Sequence, residues 1–235
     1  MTSHSPTPPL PHAPLGVFDS GIGGLTVARA LFDRLPGESV IYFGDTARVP
    51  YGPKSPETVR RYSAEILAYL LHRGVTAVVV ACNTSTAHAL DALRAHSPVP
   101  VVGVIGTAGT IASGAYERAI RALRPDAVVH SVACPLLVPL VEEGWFDRPA
   151  TELIAGEYLA PLKAAAVDVL VLGCTHYPLL KPLLARVMGR GVKLIDSAEQ
   201  TAGAVEGVLA ERGLLATGGA GDHRFVVSDD EPHFR

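Results

Sequence analysis

The sequence predicts an α/β protein of two pseudo-symmetric domains, each a mostly parallel sheet flanked by helices, with the candidate site in the cleft between them. Three observations carry this prediction. Apolar strand-like runs alternate with helix-period segments, the helices have clear start and stop residues, and the second half of the chain repeats features of the first. Alternation of this kind favours parallel sheets because a parallel strand pair needs a crossover connection.

The predicted strands are short apolar runs bounded by polar or turn residues. In chain order they are Leu15 to Phe18, Ser39 to Phe43, Val75 to Ala81, Val99 to Ile105, Ala127 to Val132, Val167 to Leu172, and Val192 to Ile195. A helix is predicted from Gly24 to Leu35, ahead of a Pro-Gly pair. The next helix has Ser55 as its N-cap, Pro56 at its first position and Gly74 after its end.

The two halves repeat one arrangement. AVVVACNTS at 77–85 and VLVLGCTHY at 169–177 each run a strand into a cysteine followed by small polar residues. Each half also has an earlier Gly-rich turn, GVFDSGIGGL at 16–25 and GVIGTAGTIASG at 103–114. Ligands of open parallel sheets bind at the carboxyl ends of the strands, so two facing halves would present two thiols to one cleft.

The expected domain boundaries follow from this repeat. Residues 15–98 and 199–235 are expected to form the first domain, with Cys82, and residues 99–198 the second, with Cys174. Residues 1–14 carry five prolines and little apolar surface, which predicts a disordered tail.

Composition and charge exclude several functional classes. The chain is 48% hydrophobic and 18% charged, as ordinary globular α/β proteins are. Its net charge of -3 offers no basic field for a nucleic acid. No apolar run is long enough to span a membrane and no leader pattern opens the chain, so we expect a cytoplasmic protein. The odd, widely spaced set Cys82, Cys134 and Cys174 indicates free thiols.

Two thiols at equivalent positions suit the inversion of a stereocentre. That reaction needs a base on one face of a carbon and an acid on the other, and Cys82 and Cys174 can alternate in these roles if one is a thiolate while the other is a thiol. Because free cysteine titrates near ~8.5, the thiolate needs stabilisation. The expected sources are the helix N-termini after each cysteine and the nearby His176.

Other interpretations of these residues remain open. Cys82 and Cys174 could be buried apolar side chains, although the polar sequences CNTS and CTHY disfavour a dry core. Cys134 lacks polar neighbours and is interpreted as structural. No metal site is expected, because the chain lacks the short ligand spacings of zinc sites.

The turn DSGIGG at 19–24 also allows two interpretations. It lacks the order of a dinucleotide fingerprint and the GK[ST] of a phosphate-binding loop, so nucleotide binding is weakly supported. Its main-chain amides at a helix start suit a small anion such as a substrate carboxylate, with the Ser20 hydroxyl and the Asp19 carboxylate beside it. A plain strand-to-helix turn is the alternative.

The motifs together resemble those of the glutamate racemases. The resembling strings are GVFDSGIGGLTV at 16–27, YFGDTARVPYGPKS at 42–55, ACNTSTA at 81–87, SGAYE at 113–117, ACPLLVPLVEEG at 133–144, LGCTHYPLL at 172–180 and DSAEQTA at 196–202. They lie in the family's order from Leu15 to about Ala202. The resemblance implies a two-domain enzyme that interconverts L- and D-glutamate without pyridoxal phosphate or metal and supplies D-glutamate for bacterial peptidoglycan.

The resemblance also implies roles for individual residues. Cys82 and Cys174 would be the alternating proton donor and acceptor, with Asp19 assisting the first and His176 the second, and with Glu142 as a further helper beside His176. The residues implied to line the glutamate site are Asp19, Ser20, Tyr51, Gly52, Asn83, Thr84, Thr175 and His176. A homodimer is a further expectation, and no nucleic-acid or membrane partner is expected.

Two departures from the family pattern leave alternatives open. GVI at 103–105 runs straight into GTAGTIASGAY, where the family has a further helix and strand of about twenty residues in all. The chain also ends at HFR, before the family's usual last strand and helix. We therefore expect a shortened middle domain with either exposed apolar faces or a changed connectivity. The alternatives are an inactive paralogue that binds glutamate or a protein, and a racemase of another acidic amino acid.

Overall fold

The computed structural model describes residues 13–86, 88, 107–123, 125, 128–165, 167 and 169–229 with their side chains, and residues 101–103 as backbone. The expected disordered tail therefore lies outside the described residues up to residue 12. Pro14 belongs to the folded part, because its carbonyl accepts a hydrogen bond from the Thr76 N–H at 2.9 Å. None of the helices in these ranges is both long and apolar enough to cross a bilayer.

The strands and helices alternate along most of the chain. The strands are β1 (Leu15–Asp19), β2 (Val40–Gly44), β3 (Ala77–Val80), β4 (Val101–Gly103), β5 (Val169–Leu172), β6 (Lys193–Asp196) and β7 (His223–Val227). The α-helices whose full extent is described are α1 (Leu25–Arg34), α2 (Pro56–His72), α3 (Ala108–Ser113), α4 (Ala115–Leu123), α5 (Leu137–Glu142), α6 (Pro149–Ala164), α7 (Lys181–Met188) and α8 (Ser197–Glu211). Short 3-10 helices span Thr46–Arg48 and Tyr177–Leu180.

The first sheet is parallel and is covered on both faces. Its strand order is β4-β3-β1-β2-β7. Successive strand residues point to opposite faces, so Val17 packs with α1 and α8 while Phe18 packs on the α2 side. The start of α2 is as predicted, since the Ser55 hydroxyl accepts from the Thr58 N–H at 3.2 Å.

The second half is smaller. Its two described strands, β5 and β6, pair in parallel, and a separate apolar cluster joins α5, α6 and α7 to Leu172. One side of β5 is poorly covered: Val169 is 48% exposed and Val171 37%, whereas Leu172 is 2% exposed. A mostly apolar cavity of about 860 Å³ lies against this side of β5. Within the described residues, β5 thus has one exposed apolar face.

Three details differ from the sequence prediction. The run at 127–132 forms no strand over its described residues 128–132, and Val128 is 83% exposed. An apolar run becomes a strand only where another strand pairs with its main chain, and the sequence pattern does not report that partner. Strand β7 was not predicted. β4, which we assigned to the second domain, pairs with β3 in the first sheet.

Candidate active site

Cys82 lies where β1 and β3 end at the carboxyl edge of the first sheet. Its N–H donates to the Phe18 carbonyl at 3.2 Å, and the backbone becomes helical from residue 83. The Ser85 N–H then points back and donates to the Cys82 Sγ at 3.5 Å. The thiol is 3% exposed. A strand that runs directly into a helix thus brings main-chain donors to the sulfur.

Burial and the neighbouring Asp19 set the electrostatics of this thiol. Burial, followed by the negative charge of Asp19, raises the pKa of Cys82 to about 11 against the opposing effect of the donors at Ser85 and Ser20. The stabilising helix N-terminus expected from the sequence is therefore present but outweighed, so Cys82 rests as a neutral thiol near neutral pH. Burial also raises the pKa of Asp19, while the charge of His176 and the Gly21 N–H lower it.

Cys174 follows β5 in the second half and has a histidine beside it. The Cys174 Sγ lies 3.8 Å from the His176 Nδ1, and the His176 Nε2 lies 3.3 Å from the Glu142 Oε1. Burial lowers the pKa of His176, but the contacts with Cys174 and Glu142 outweigh it and raise the pKa to about 10. A protonated imidazole next to the sulfur stabilises a negative charge there.

The turn at 19–24 brings the two cysteine motifs to one place. A Cβ on Gly23 would lie 2.2 Å from His176 atoms and 2.5 Å from the Thr175 Oγ1, so only glycine permits this approach. The Thr26 hydroxyl donates to the Thr175 carbonyl at 2.8 Å. Asp19 acts electrostatically on Cys82 and on His176 alike. One carboxylate thus lies within electrostatic reach of both thiol environments.

The loop after β2 and the turn before α3 enclose the same region. A Cβ on Gly21 would lie 3.0 Å from the Val49 side chain and 4.0 Å from the Glu142 Oε1. A Cβ on Gly52 would lie 3.7 Å from the Thr107 Oγ1, and this hydroxyl is hydrogen-bonded to the Thr84 hydroxyl at 2.7 Å.

The remaining predicted residues have distinct environments. Ser20 contributes a hydrogen bond that lowers the pKa of Cys82. Asn83 is buried, and neither its Nδ2 nor its Oδ1 has a hydrogen-bond partner among the described residues. An orphaned amide of this kind suits a polar ligand. Tyr51 is 2% exposed, and its ring packs with Val59 and Cys82.

Cys134 lies near Cys174, because burial raises the pKa of Cys134 and the charge of Cys174 adds to that rise. It is buried in the apolar cluster of the second half and borders the cavity against β5. The cavity also borders Thr107 and Gly173, and a Cβ on Gly173 would lie 2.7 Å from the Tyr116 ring. All three cysteines are free thiols. Within the described ranges, no group of three or more His, Cys, Asp or Glu residues could hold a metal ion.

Sequence reasoning missed several residues of this site. Thr107, Thr26 and Asp45 are polar residues within segments that were identified, but no spacing rule singles them out. Thr107 lies in the Gly-rich turn of the second half, and that turn's equivalence to DSGIGG is the signal that could have identified it.

The comparisons with known proteins agree with this geometry. The family model described as Asp/Glu/Hydantoin racemase matches residues 25–105 and 102–205. The fold and the paired cysteine motifs are those of a racemase, and the chain belongs to the aspartate/glutamate/hydantoin racemase family.

Within that family its relatives are glutamate racemases. The Geobacter metallireducens glutamate racemase is 50% identical over 240 residues, covering 94% of this chain and 89% of that protein. The Bacillus anthracis glutamate racemase structure has a TM-score of 0.92 at 39% identity, covering 96% of this chain and 92% of that one. The Francisella tularensis glutamate racemase, solved in complex with D-glutamate, has a TM-score of 0.89 at 38% identity over 96% and 92%.

Proposed function

We propose that this protein interconverts L- and D-glutamate by a two-base mechanism in which Cys82 and Cys174 act on opposite faces of the α-carbon. The observation that carries this proposal is the position of Asp19, whose charge acts on both Cys82 and His176, while Gly23 of the same turn lies against His176. The glutamate racemase relatives supply the substrate, and the Francisella complex holds D-glutamate.

The proton balance of the reaction is simple. One thiolate takes the α-proton and becomes a thiol, while the other thiol gives its proton to the opposite face and becomes a thiolate. Protonated His176 stabilises the negative charge on Cys174, while Cys82 starts as the neutral donor. For the reverse direction, we propose that Asp19 accepts the Cys82 proton as a general base, because its negative charge by itself disfavours the thiolate. No cofactor takes part in this scheme.

The proposed ligand contacts use the polar groups that surround the thiols. The unpartnered amide of Asn83 and the remaining main-chain amides of the 19–24 turn bind the substrate carboxylates, since the amides of Ser20, Gly21 and Gly24 already donate to Asp19. Ser20, Thr84, Thr175 and the main chain at Tyr51 and Gly52 complete the binding set. We further propose that the protein acts in the cytoplasm as a homodimer and supplies D-glutamate for peptidoglycan.

One observation favours a second candidate, an inactive protein that binds glutamate or another partner. The family model matches in two stretches that meet at residues 102–105, where the sequence lacks a helix and strand of the family pattern, and β5 is poorly covered nearby. A scaffold altered there could hold Cys174 away from its working position, and displacements near 1 Å reduce such chemistry by about 10²-fold.

A racemisation assay separates the candidates. Purified protein is mixed with L-glutamate or D-glutamate and the rotation of polarised light is followed, beside a thermal melt. We expect both enantiomers to approach a racemic mixture. Cys82→Ala and Cys174→Ala should each lose activity by on the order of 10³-fold, while the matched control Cys134→Ala retains it. A folded wild-type protein that racemises neither enantiomer leaves only the binding function, and racemisation of aspartate in preference to glutamate reassigns the substrate.

A further inference from the structure

We infer that Asp45 is a positioning residue for the Cys82 side of the reaction, acting through the hydroxyl of Tyr51. The inference rests on the proposed two-cysteine function. Asp45 follows β2 directly, and its N–H donates to the Asp19 carbonyl at 3.0 Å, so it lies at the same sheet edge as the catalytic turn. Its side chain is completely buried.

The Asp45 carboxylate is directed toward the loop that follows it. Asp45 is the N-cap residue of the 3-10 helix Thr46–Arg48 but makes no side-chain capping hydrogen bond. Its Oδ2 instead accepts from the Arg48 Nε at 2.7 Å and from the Tyr51 hydroxyl. Burial of an unpaired carboxylate costs free energy. We therefore infer that the buried charge of Asp45 serves to bind Arg48 and Tyr51.

Arg48 binds the same oxygen of the Asp45 carboxylate as Tyr51 does. Its guanidinium also binds Glu65 of α2 and lies over the Tyr62 ring, 4.1 Å from the ring centroid. Planar guanidinium groups bind carboxylates in defined orientations, so this bridge to α2 sets the direction of Asp45.

Tyr51 connects Asp45 to the surroundings of the Cys82 thiol. Burial, the hydrogen bond to Asp45 and the negative charge of Asp45 all raise the pKa of Tyr51, which keeps the hydroxyl protonated and donating. The ring packs with Val59 and Cys82, and the Tyr62 ring lies 5.7 Å away. A series of contacts thus leads from Glu65 through Arg48 and Asp45 to Tyr51, which packs in the same cluster as Cys82.

In this arrangement the side chain and the main chain of Tyr51 have different roles. Its side chain is committed to Asp45 and Cys82, so any contact with substrate falls to its main chain and to Gly52. Loss of the hydroxyl should loosen the ring that covers the sulfur, admit water, and misplace the thiol relative to the α-carbon.

The first test measures Cys82 directly and does not depend on activity. Wild type, Tyr51→Phe, Asp45→Asn and Asp45→Ala are treated with iodoacetamide, and modified peptides are quantified by mass spectrometry. We expect Cys82 to react about tenfold faster in Tyr51→Phe, because one hydrogen bond to a charged group is lost. Cys134, in the other half, is the internal control. Equal reaction of Cys82 in wild type and in the folded variants overturns the inference, as does equal acceleration at both cysteines.

The second test uses kinetics. We expect kcat/KM to fall on the order of 10²-fold in Asp45→Ala and less in Asp45→Asn, whose amide oxygen still accepts both hydrogen bonds. Asp45→Ala added to Tyr51→Phe should cost little more than either change alone, because both break one contact. Asp33→Ala, which removes an exposed carboxylate paired with Arg29, is the matched control and keeps full activity.

Isotope effects locate the defect. With α-deuterated substrates, the isotope effect on kcat/KM should rise in Tyr51→Phe only for the enantiomer whose α-hydrogen moves to Cys82. An equal rise for both enantiomers, or additive losses in the double variant, contradicts the inference. Absence of racemisation by wild type refutes the proposed function instead, and the Cys82 modification rates then still decide whether Asp45 positions this thiol.

Discussion

Replacement of Gly23 by alanine tests how tightly the two halves of the site are joined. The new Cβ would lie 2.2 Å from the Cε1 and Nδ1 of His176 and 2.5 Å from the Thr175 Oγ1. Nonbonded carbon atoms are separated by roughly 3.5 Å, so the imidazole must retreat by about 1 Å. His176 is only 5% exposed and has little space to move.

A retreat of that size breaks the contacts that define the His176 environment. Its Nδ1 lies 3.8 Å from the Cys174 Sγ and its Nε2 lies 3.3 Å from Glu142. The shift must change at least one of these two distances. Misplacement by about 1 Å costs on the order of 10²-fold in rate, so we expect kcat/KM for either glutamate enantiomer to fall by about that factor.

The assay is polarimetric racemisation beside a thermal melt. Gly156→Ala is the matched control, because it lies within α6 with no heavy atom within 4 Å of the new Cβ. Alanine favours a helix interior over glycine by up to about 1 kcal/mol, so this variant should be slightly more stable and fully active. A folded Gly23→Ala protein with wild-type kcat/KM would refute the argument that this turn fixes His176.

Three further predictions concern charge and packing. The pKa of His176 is raised from 6.5 to about 10. Its contribution to the free energy of unfolding is therefore complete below pH 6.5 and is lost as the pH rises through about 10. Denaturant titrations across this range should show a steeper decline in unfolding free energy for wild type than for His176→Gln. Glu142→Gln removes one cause of the raised pKa, so the same decline should end at lower pH, and an unchanged profile would exclude Glu142 as a cause. In β5, Leu172→Ala should lower the unfolding free energy by about 2 to 5 kcal/mol. Val171→Thr, on the exposed face, should lower it by about 0.5 kcal/mol or less. Equal losses would mean that the exposed face is covered in solution.

The sequence predicted most of the first sheet because its strands are continuous apolar runs between well-marked helices. Ser55 and Pro56 fixed the start of α2, and the strands that end at Cys82 and Cys174 were both located. The prediction of a strand at 127–132 was wrong over the described residues 128–132, because apolar periodicity does not reveal whether a pairing strand exists. Strand β7 was missed since its partner β2 is nearly two hundred residues away in sequence.

The catalytic and binding roles of the site residues stay predictions, whereas the structure records where these residues lie. Motif resemblance identified the residues that the structure gathers around the 19–24 turn, and the contact of Glu142 with His176 distinguishes it from Glu143. Asp45 and Thr107 were not identified, because their importance lies in side-chain hydrogen bonds with Tyr51 and Thr84 that no sequence pattern records. The raised pKa of Cys82 likewise depends on three-dimensional burial and on the charge of Asp19.

The most direct test of the two-thiol account is racemisation of ordinary L-glutamate in deuterated water, stopped after a small fraction has reacted. Product and remaining substrate are separated by chirality and their α-deuterium content is measured. Because one thiol removes a proton and the other delivers a solvent deuteron, we expect deuterium in the D-glutamate formed and almost none in the L-glutamate left, with the reverse pattern from D-glutamate. Deuterium appearing equally in both enantiomers from the first turnovers would show a single base and contradict the account.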